Sequence, residues 1–385
     1  MSKLEDYIVQ IRGVSYKPTD SSESEIDGYV PLLRSNNIKD GKINYDNLIY
    51  VKEEKVKENQ FLKKGDILIC TSNGSKELVG KAGLIKEDIR ASFGAFCRVI
   101  RIKKSLNYQY LIHFFHSNYY KENIKKKSNG ANINNLKNED VDSLDINVIK
   151  SKKQLEIANE LDKIVDIINI KENQISKLDE LIKAQFIEMF ENKKYSKIKL
   201  GDEFDVSSGG TPSKKEKEYW NSNDISWIGS NMCQNKIIYE NDGKYISYLG
   251  LEHSSAKIYP INTILVALVG ATIGKTALLK FETTTNQNIA GIQISNRFNA
   301  EYVYFAIQNL YYKFIELGNG GFKMANLSFI KNLEISMPPI ELQNKFAEFV
   351  TKIDKQKAIC NKTIDELNEL KESKMQEYFG GVVNE

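Results

Sequence analysis

Cysteine and long apolar runs are scarce in this 385-residue sequence. The cysteines, which lie far apart and form no C-x-x-C pair, are Cys70, Cys97, Cys233 and Cys360. This spacing excludes a zinc ribbon and argues against a disulfide framework, so we expect buried or free thiols in a reducing cytosol. The longest strongly apolar stretch, Ile264 to Ala271, is far shorter than the ~20 residues that span a bilayer. The first residues lack the apolar core of a signal peptide. We therefore expect a cytoplasmic protein that does not contact membranes.

Motifs for catalysis and cofactor binding are also missing. A phosphate-binding loop has four residues between its glycines. The segment Gly270 to Thr276 has three and its counterpart Gly74 to Gly80 has five, so neither fits that motif. A hairpin-like connection after a buried strand is the favoured interpretation of both. His113 and His116 lie three residues apart without a nearby third ligand, which favours surface or core histidines over a metal site. A DNA adenine methyltransferase would need a Pro-Pro-aromatic strand end and a glycine-rich loop for its methyl donor. The only Pro-Pro pair precedes a predicted helix, and no G-x-G-x-x-G occurs. No Ser/His/Asp arrangement for nucleophilic catalysis stands out. These absences favour a binding protein without metal or cofactor.

Glycine and proline are absent from two long windows, Ala131 to Leu200 and Ile340 to Phe379. Such windows can hold long uninterrupted helices. Ser151 to Gln154 has the pattern of a capping box, and Pro338-Pro339 suits the first turn of the second helix. We therefore predict helices over 151–190 and 339–380.

Apolar residues in these windows recur in steps of four and three. They are Ile157, Leu161, Ile164, Ile168, Ile175, Leu178, Ile182 and Met189 in the first, and Phe346, Val350, Ile353, Cys360, Ile364 and Leu367 in the second. A period of 3.5 residues is typical of a coiled coil. The alternative is an amphipathic helix packed on its own domain. At 1.5 Å per residue each helix would be roughly 60 Å long, which favours the coiled coil.

The two halves of the chain match one another. Matching pairs, at offsets that decrease from 196 to 186, include Gly13 and Gly209, Ser35-Asn36 and Ser230-Asn231, Gly80-Lys81 and Gly274-Lys275, Asn135-Leu136 and Asn326-Leu327, and Leu178 to Leu181 and Ile364 to Leu367. A period near 190 predicts a repeated whole domain with an appended helix. Charge follows the same division: residues 1–150 and 191–338 carry net +5 and +2, and both helical segments carry −2.

The segments 1–150 and about 195–338, here called the first and second lobes, show the patterns of mixed α/β domains. Predicted strands are Ile67 to Cys70, Ala95 to Ile102, Ile264 to Leu268 and Ile289 to Ile294. Predicted amphipathic helices are Tyr108 to Tyr120 and Ala300 to Leu317. The fold class is therefore α/β, as two lobes in tandem with two long helices.

Polar turns and loops in both lobes suit contact with nucleic acid. Asn and Gln can read adenine, Arg and Lys can read guanine, and lysines repeated in both copies suit phosphate contact. Ordinary turn chemistry is the alternative for each, because Asn, Ser and Gly populate turns anyway. The candidate DNA-contacting residues are Arg34, Ser35, Asn36, Asn73, Ser75, Lys76 and Lys81 in the first lobe, and Asn231, Lys275, Thr276, Gln287 and Lys323 in the second.

Several of these segments occur in the order of a known family. They are Lys199 to Asp202, Gly209 to Ser213, Tyr219-Trp220, Gly274-Lys275, Asn286-Gln287, Asn326-Leu327, Met337 to Pro339, and Leu181 to Phe190. Through them the chain resembles the specificity subunit of type I restriction–modification systems over essentially its full length. The first copy departs from the pattern, because it lacks the Gly-Thr-Pro-Ser opening and the double proline. It resembles a diverged recognition domain, as expected if the lobes read different sequences.

The resemblance implies an architecture and a set of partners. Each lobe would be a target recognition domain for one half of a split DNA site, and the two helices would pair antiparallel, separate the lobes and fix the unread spacer. Two methyltransferase subunits would dock on the helices, and restriction subunits would join to translocate and cut double-stranded DNA. The chain itself would carry no catalytic residue and bind no methyl donor. Two alternatives stay open: a self-contained DNA adenine methyltransferase and a coiled-coil adaptor that does not read DNA.

Overall fold

The computed structural model describes residues 2–39, 41–128, 135–317 and 324–380. The chain forms two compact units: residues 1–173 with 361–385, and residues 174–360. Each unit contains one lobe and parts of both long helices.

The described residues of the first unit form short strands, four α-helices, the last of which continues into the second unit, and the C-terminal part of the second long helix. The strands are β1 (Ser2–Lys3), β2 (Ile8–Arg12), β3 (Ser21–Ser22), β4 (Tyr29–Leu33), β5 (Ile38–Lys39), β6 (Lys42–Ile43), β7 (Ile49–Lys52), β8 (Ile67–Cys70), β9 (Ala82–Leu84), β10 (Ser92–Phe93), β11 (Cys97–Ile102) and β12 (Asp145–Ile146). The helices are α1 (Tyr108–His116), α2 (Asn118–Ser128), α3 (Asn138–Asp142) and α4 (Ser151–Phe186).

Two sheets organise the first lobe. The main sheet has the order β2-β11-β8-β9 with every neighbouring pair antiparallel, and the small sheet has the order β10-β4-β7-β3. The predicted strand Ile67 to Cys70 is confirmed as β8, whose four residues are all buried. The strand predicted from Ala95 begins two residues later, because the Cys97 amide donates to the Gly94 carbonyl and closes a turn. The helix predicted over Tyr108 to Tyr120 is interrupted after His116, because Ser117 is extended.

The second unit repeats this construction. Its strands are β13 (Lys197–Lys199), β14 (Asp205–Ser208), β15 (Ile225–Ile228), β16 (Lys236–Ile238), β17 (Tyr245–Ile246), β18 (Ile258–Tyr259), β19 (Ile264–Ala267), β20 (Thr276–Leu279), β21 (Thr283–Thr285), β22 (Ile289–Gln293) and β23 (Glu334–Ser336). Its helices are α5 (Leu200–Glu203), α6 (Tyr248–Glu252), α7 (Ala300–Asn309), α8 (Tyr311–Leu317), α9 (Leu327–Lys331) and α10 (Ile340–Phe379), and a π-helical turn, Ile187–Glu191, follows α4.

Strand order shows how the lobes correspond. The second main sheet is β14-β22-β19-β20-β16, which adds only β16 to the order of the first. Each small sheet contains one parallel pair, β4 with β10 and β15 with β21. The Leu136 amide donates to the carbonyl of Thr71, directly after β8, and the Ala325 amide donates to the carbonyl of Leu268, directly after the equivalent strand β19. Leu136 therefore corresponds to Ala325, which corrects the sequence match of Leu136 with Leu327.

A buried glutamine ties each lobe to its long helix. The Gln154 side chain accepts from the Asn107 amide at 2.8 Å, and Gln343 accepts from the Asn299 amide at 2.8 Å. Asn107 and Asn299 cap α1 and α7, so the glutamines connect equivalent helices in the two lobes. The predicted capping box at Ser151 is therefore wrong, because the Gln154 side chain bonds to the lobe instead of closing the helix end.

The two long helices meet inside each unit. In the first unit Glu160 accepts from the Tyr378 hydroxyl at 2.7 Å and lies 3.3 Å from the Lys374 ammonium. In the second unit Phe346 packs on Phe186, and more distant from that contact Lys357 pairs with Asp179 at 2.7 Å. The contact residue on the first helix decreases from Phe186 to Asp179 while its partner on α10 increases from Phe346 to Lys357. The two helical segments therefore run antiparallel there. Every predicted seam residue is buried or half-buried.

Candidate nucleic-acid interface

In the first lobe the turn that follows β4 is held by Asn37. Its side-chain oxygen accepts from the Arg34 amide at 2.9 Å, and its amide group donates to the carbonyls of Asn44 and Asp46. This buried amide fixes the turn and leaves the neighbouring Asn36 exposed. The Arg34 guanidinium donates to the Asn47 carbonyl at 3.2 Å, so it supports the same turn.

The loop that follows β8 comes beside this turn. The Asn73 amide group donates to the Ser35 hydroxyl at 3.3 Å, and the Asn73 oxygen accepts from the Ser75 amide. Ser75 and Lys76 are exposed on the same loop. The fold therefore brings together polar residues from two segments that are distant in the sequence.

Lys81 has an internal role. Its ammonium donates to the Ile38 carbonyl at 2.8 Å and its side chain is half-buried. Neighbouring Gly80 has a φ of +86°, and a β-carbon there would contact Ile124. This lysine therefore stabilises the connection between β8 and β9.

The corresponding segment of the second lobe is a hairpin connection, as predicted. Strands β19 and β20 pair antiparallel, and Gly274 turns with a φ of +73°. The Lys275 ammonium is exposed and donates to the Gln234 side chain at 3.0 Å. Thr276 is fully buried, and its hydroxyl bonds to Asn235 and Gln308. The buried Thr276 side chain therefore supports the hairpin, and the prediction that it contacts DNA is corrected.

The second lobe has a polar and aromatic cleft of about 560 Å³ beside Asn231. It is lined by Lys214, Lys217, Lys244, Trp220, Trp227 and Asn286, among others. The two tryptophans contact edge to face at 5.1 Å. The exposed Gln287 accepts from the Thr211 hydroxyl at 2.6 Å. The cleft thus combines ammonium groups with amides, which suits a DNA strand. Lys323 lies outside the described residues.

Sequence reasoning missed several residues of these surfaces. Two of the cleft lysines, Lys214 and Lys217, follow the Gly209 to Ser213 opening, where the nearby Glu216 and Glu218 offset their charge in a simple count. In the first lobe Phe96 is 70% exposed, although the carbonyl of the same residue accepts from the Thr71 and Ser72 amides. An exposed aromatic inside an apolar run gives no signal of its own in the sequence.

The cysteines and histidines take structural positions. All four cysteines are free and buried, and burial raises the pKa of the Cys233 thiol to about 12. The His113 ring lies 2.8 Å from the Asp162 carboxylate, and burial lowers the pKa of His116 to about 4. Among the described residues no group of three or more His, Cys, Asp or Glu side chains is arranged to hold a metal.

A family model for the type I restriction modification DNA specificity domain matches residues 2–180 and again residues 192–369. The chain belongs to this family. The StySPI type I restriction enzyme specificity subunit of Salmonella potsdam is 35% identical over 45% of the chain, and the EcoKI specificity subunit of Escherichia coli K12 is 36% identical over 45%. In both comparisons the chain spans 37% of the relative's length.

The fold of this specificity-domain protein is shared with a solved structure. The type I restriction-modification S subunit from M. genitalium matches 98% of this chain and 95% of its own, with a TM-score of 0.58 and 13% identity. Identity this low supports a shared fold only. Within the described part of the chain, no helix has the length and apolar character needed to cross a bilayer.

Proposed function

We propose that this chain is the DNA sequence-specificity subunit of a type I restriction–modification complex. The observation that carries the proposal is the double match to one DNA specificity domain. Residues 1–150 and 195–338 would be two target recognition domains, and residues 151–190 and 339–380 the antiparallel coiled-coil helices that set an unread spacer. Each domain would read one half of a bipartite site in double-stranded DNA.

Chemistry would come from partners, and this chain would be a non-catalytic, cytoplasmic recognition subunit without a cofactor. We propose that two methyltransferase subunits dock on the helices and that restriction subunits complete the complex. Apolar side chains exposed on α4 support a docking surface, since Ile170 is 62% exposed in the first unit and Leu181 is 46% exposed in the second. Ile167, three residues before Ile170 on the same side of the helix, is also 43% exposed, and contiguous exposed apolar surface marks an interaction site.

The proposed contacts to DNA are the exposed or half-buried members of the polar turns. They are Arg34, Ser35, Asn36, Asn73, Ser75 and Lys76 in the first lobe, and Asn231, Lys275 and Gln287 in the second. The pairing of Asn73 with Ser35 and the cleft beside Asn231 support them.

Replacing residues 1–150 with another lobe of the same kind is expected to change one half-site only. The physical reason is that each lobe has its own sheets and core. The measurement is methylation-sensitive sequencing of host DNA that carries the altered chain with its methyltransferase subunits. Simultaneous change of both half-sites would contradict two separate readers, and unchanged methylation would favour an adaptor that does not read DNA.

Lys275→Ala is expected to weaken binding to all duplex sequences alike, with a salt slope smaller by about 1, because a phosphate contact carries no sequence information. Asn73→Ala is instead expected to relax specificity at one half-site, by ~1–3 kcal/mol of discrimination. Binding assays at several salt concentrations test both. The matched control is Lys331→Ala, an exposed lysine on α9 beside Gly201. An unchanged salt slope for Lys275→Ala would leave this lysine as a solvated turn residue.

A further inference from the structure

Two arginines lie directly opposite one another in the main sheet of the first lobe. Strand register pairs Arg12 on β2 with Arg98 on β11. Like charges at such positions repel and destabilise a sheet. Arg98 is half-buried, and burial together with the nearby Arg12 charge lowers the pKa of its guanidinium. The arrangement costs folding free energy, which indicates a function outside the fold itself.

Nearby acidic groups compensate this charge only in part. The Arg98 guanidinium donates to the Gln10 side chain at 3.4 Å, and the Gln10 amide group in turn donates to the Asp142 carboxylate at 2.8 Å. Asp140 and Asp142 act on Arg98 from a greater distance. Among the described residues no carboxylate lies within ion-pair distance of either arginine.

The arginines line a cavity of about 320 Å³ together with Gln10, Ala95, Asn135 and Asn138. Guanidinium and amide groups supply many hydrogen-bond donors, and none of the described residues that line the cavity is acidic. A phosphodiester offers acceptors only and protrudes from the duplex, whereas base edges lie on a groove floor that a concave pocket cannot reach. The chemistry therefore fits a phosphate.

The second lobe has no arginine at the two corresponding positions. The Thr71 amide donates to the Phe96 carbonyl, as the Leu268 amide does to that of Asn288, so the two residues correspond. Two residues after Phe96 and Asn288 come Arg98 and Ala290, which therefore also correspond. Arg98 pairs with Arg12 in the first lobe as Ala290 pairs with Ser208 in the second, so Ser208 is the counterpart of Arg12. The two lobes thus place different chemistry at one shared position of the fold.

We infer that Arg12 and Arg98 form a pocket that binds a backbone phosphate of the DNA at the first half-site only. This inference rests on the proposed function, because it deepens how the first lobe holds DNA. Phe96, which lies between Ala95 and Arg98 in the chain, is the exposed side chain that this anchor would position against the bases. A thymine methyl group is the base feature that suits it.

The experiment compares DNA binding by the full chain with its methyltransferase subunits, using target duplexes and duplexes altered in either half-site. Arg12→Gln and Arg98→Gln are each expected to weaken binding about tenfold on all duplexes, with a salt slope smaller by about 1. Phe96→Ala should instead reduce discrimination at the first half-site. The matched control is Arg90→Gln, an exposed first-lobe arginine paired with Glu53, which should bind normally.

Wild-type complex that fails to bind duplex DNA would overturn the proposed function and this inference together. Wild-type binding with both arginine variants unaffected would overturn the inference alone. Arg12 is exposed, so its variant tests the pocket even if Arg98→Gln lowers stability. A titration of the complex with inorganic phosphate separates the two sources: saturable phosphate binding that both variants abolish, with DNA binding by the variants unchanged, would mark a site for free phosphate and overturn the assignment to DNA.

Discussion

Inserting four residues between Ile170 and Ile175 is expected to lengthen the unread spacer of the methylated site by about two base pairs and to leave both half-sites unchanged. Four residues add about 6 Å of helix, against about 3.4 Å per base pair. They also add little more than one turn, so the rotation is only about 40°. The site is suitable because the seam is polar there and the two units divide after Asn173.

Genome-wide methylation profiling gives the readout. The matched control is the same four residues inserted after Ser24, in the exposed segment between β3 and β4, where helix length does not change. That control should keep the original spacer. New half-site bases with the original spacer would contradict a helical ruler.

Asp66→Ala is expected to destabilise the first lobe by about 3 kcal/mol. Asp66 is buried and accepts two hydrogen bonds from the Arg101 guanidinium, at 2.8 and 2.6 Å. Removing one partner of a buried pair leaves an uncompensated charge, which usually costs about 3–5 kcal/mol. Arg101 also donates to the Asn59 and Phe61 carbonyls, so part of its hydrogen bonding survives the substitution.

Hydrogen exchange can test this prediction lobe by lobe. Peptides from β8 and β11 should lose protection, whereas peptides from β19 and β22 should not. The matched control is Glu53→Ala, which breaks the exposed pair with Arg90 and should cost about 1 kcal/mol or less. Equal loss in Asp66→Ala and the control would show that the buried pair contributes little.

The buried pair belongs to the first lobe alone. At the corresponding positions the second lobe has Thr263, whose hydroxyl donates to the Pro260 carbonyl, and Gln293, whose amide group donates to Asp205. The lobes therefore share strand order but not the polar groups that support it. Separate divergence of this kind is expected if the two domains read different half-sites.

The sequence alone determined the features that depend on local pattern. Windows without glycine or proline, with apolar residues at a 3.5-residue period, predicted α4 and α10, because helix propensity and seam spacing are local properties. Short apolar runs such as Ile67 to Cys70 predicted the central strands for the same reason. The repeat located equivalent turns, and its segments carried the family resemblance that the domain matches then established.

Tertiary structure decided which side chains reach the surface. The sequence predicts Thr276 and Lys81 to be exposed turn residues that contact DNA. In the structure Thr276 is buried, and the Lys81 ammonium donates to the Ile38 carbonyl. Arg12 and Arg98 are distant in the chain, and only strand register places them on one cavity. Register and burial depend on contacts between distant segments, and these contacts have no local signature in the sequence.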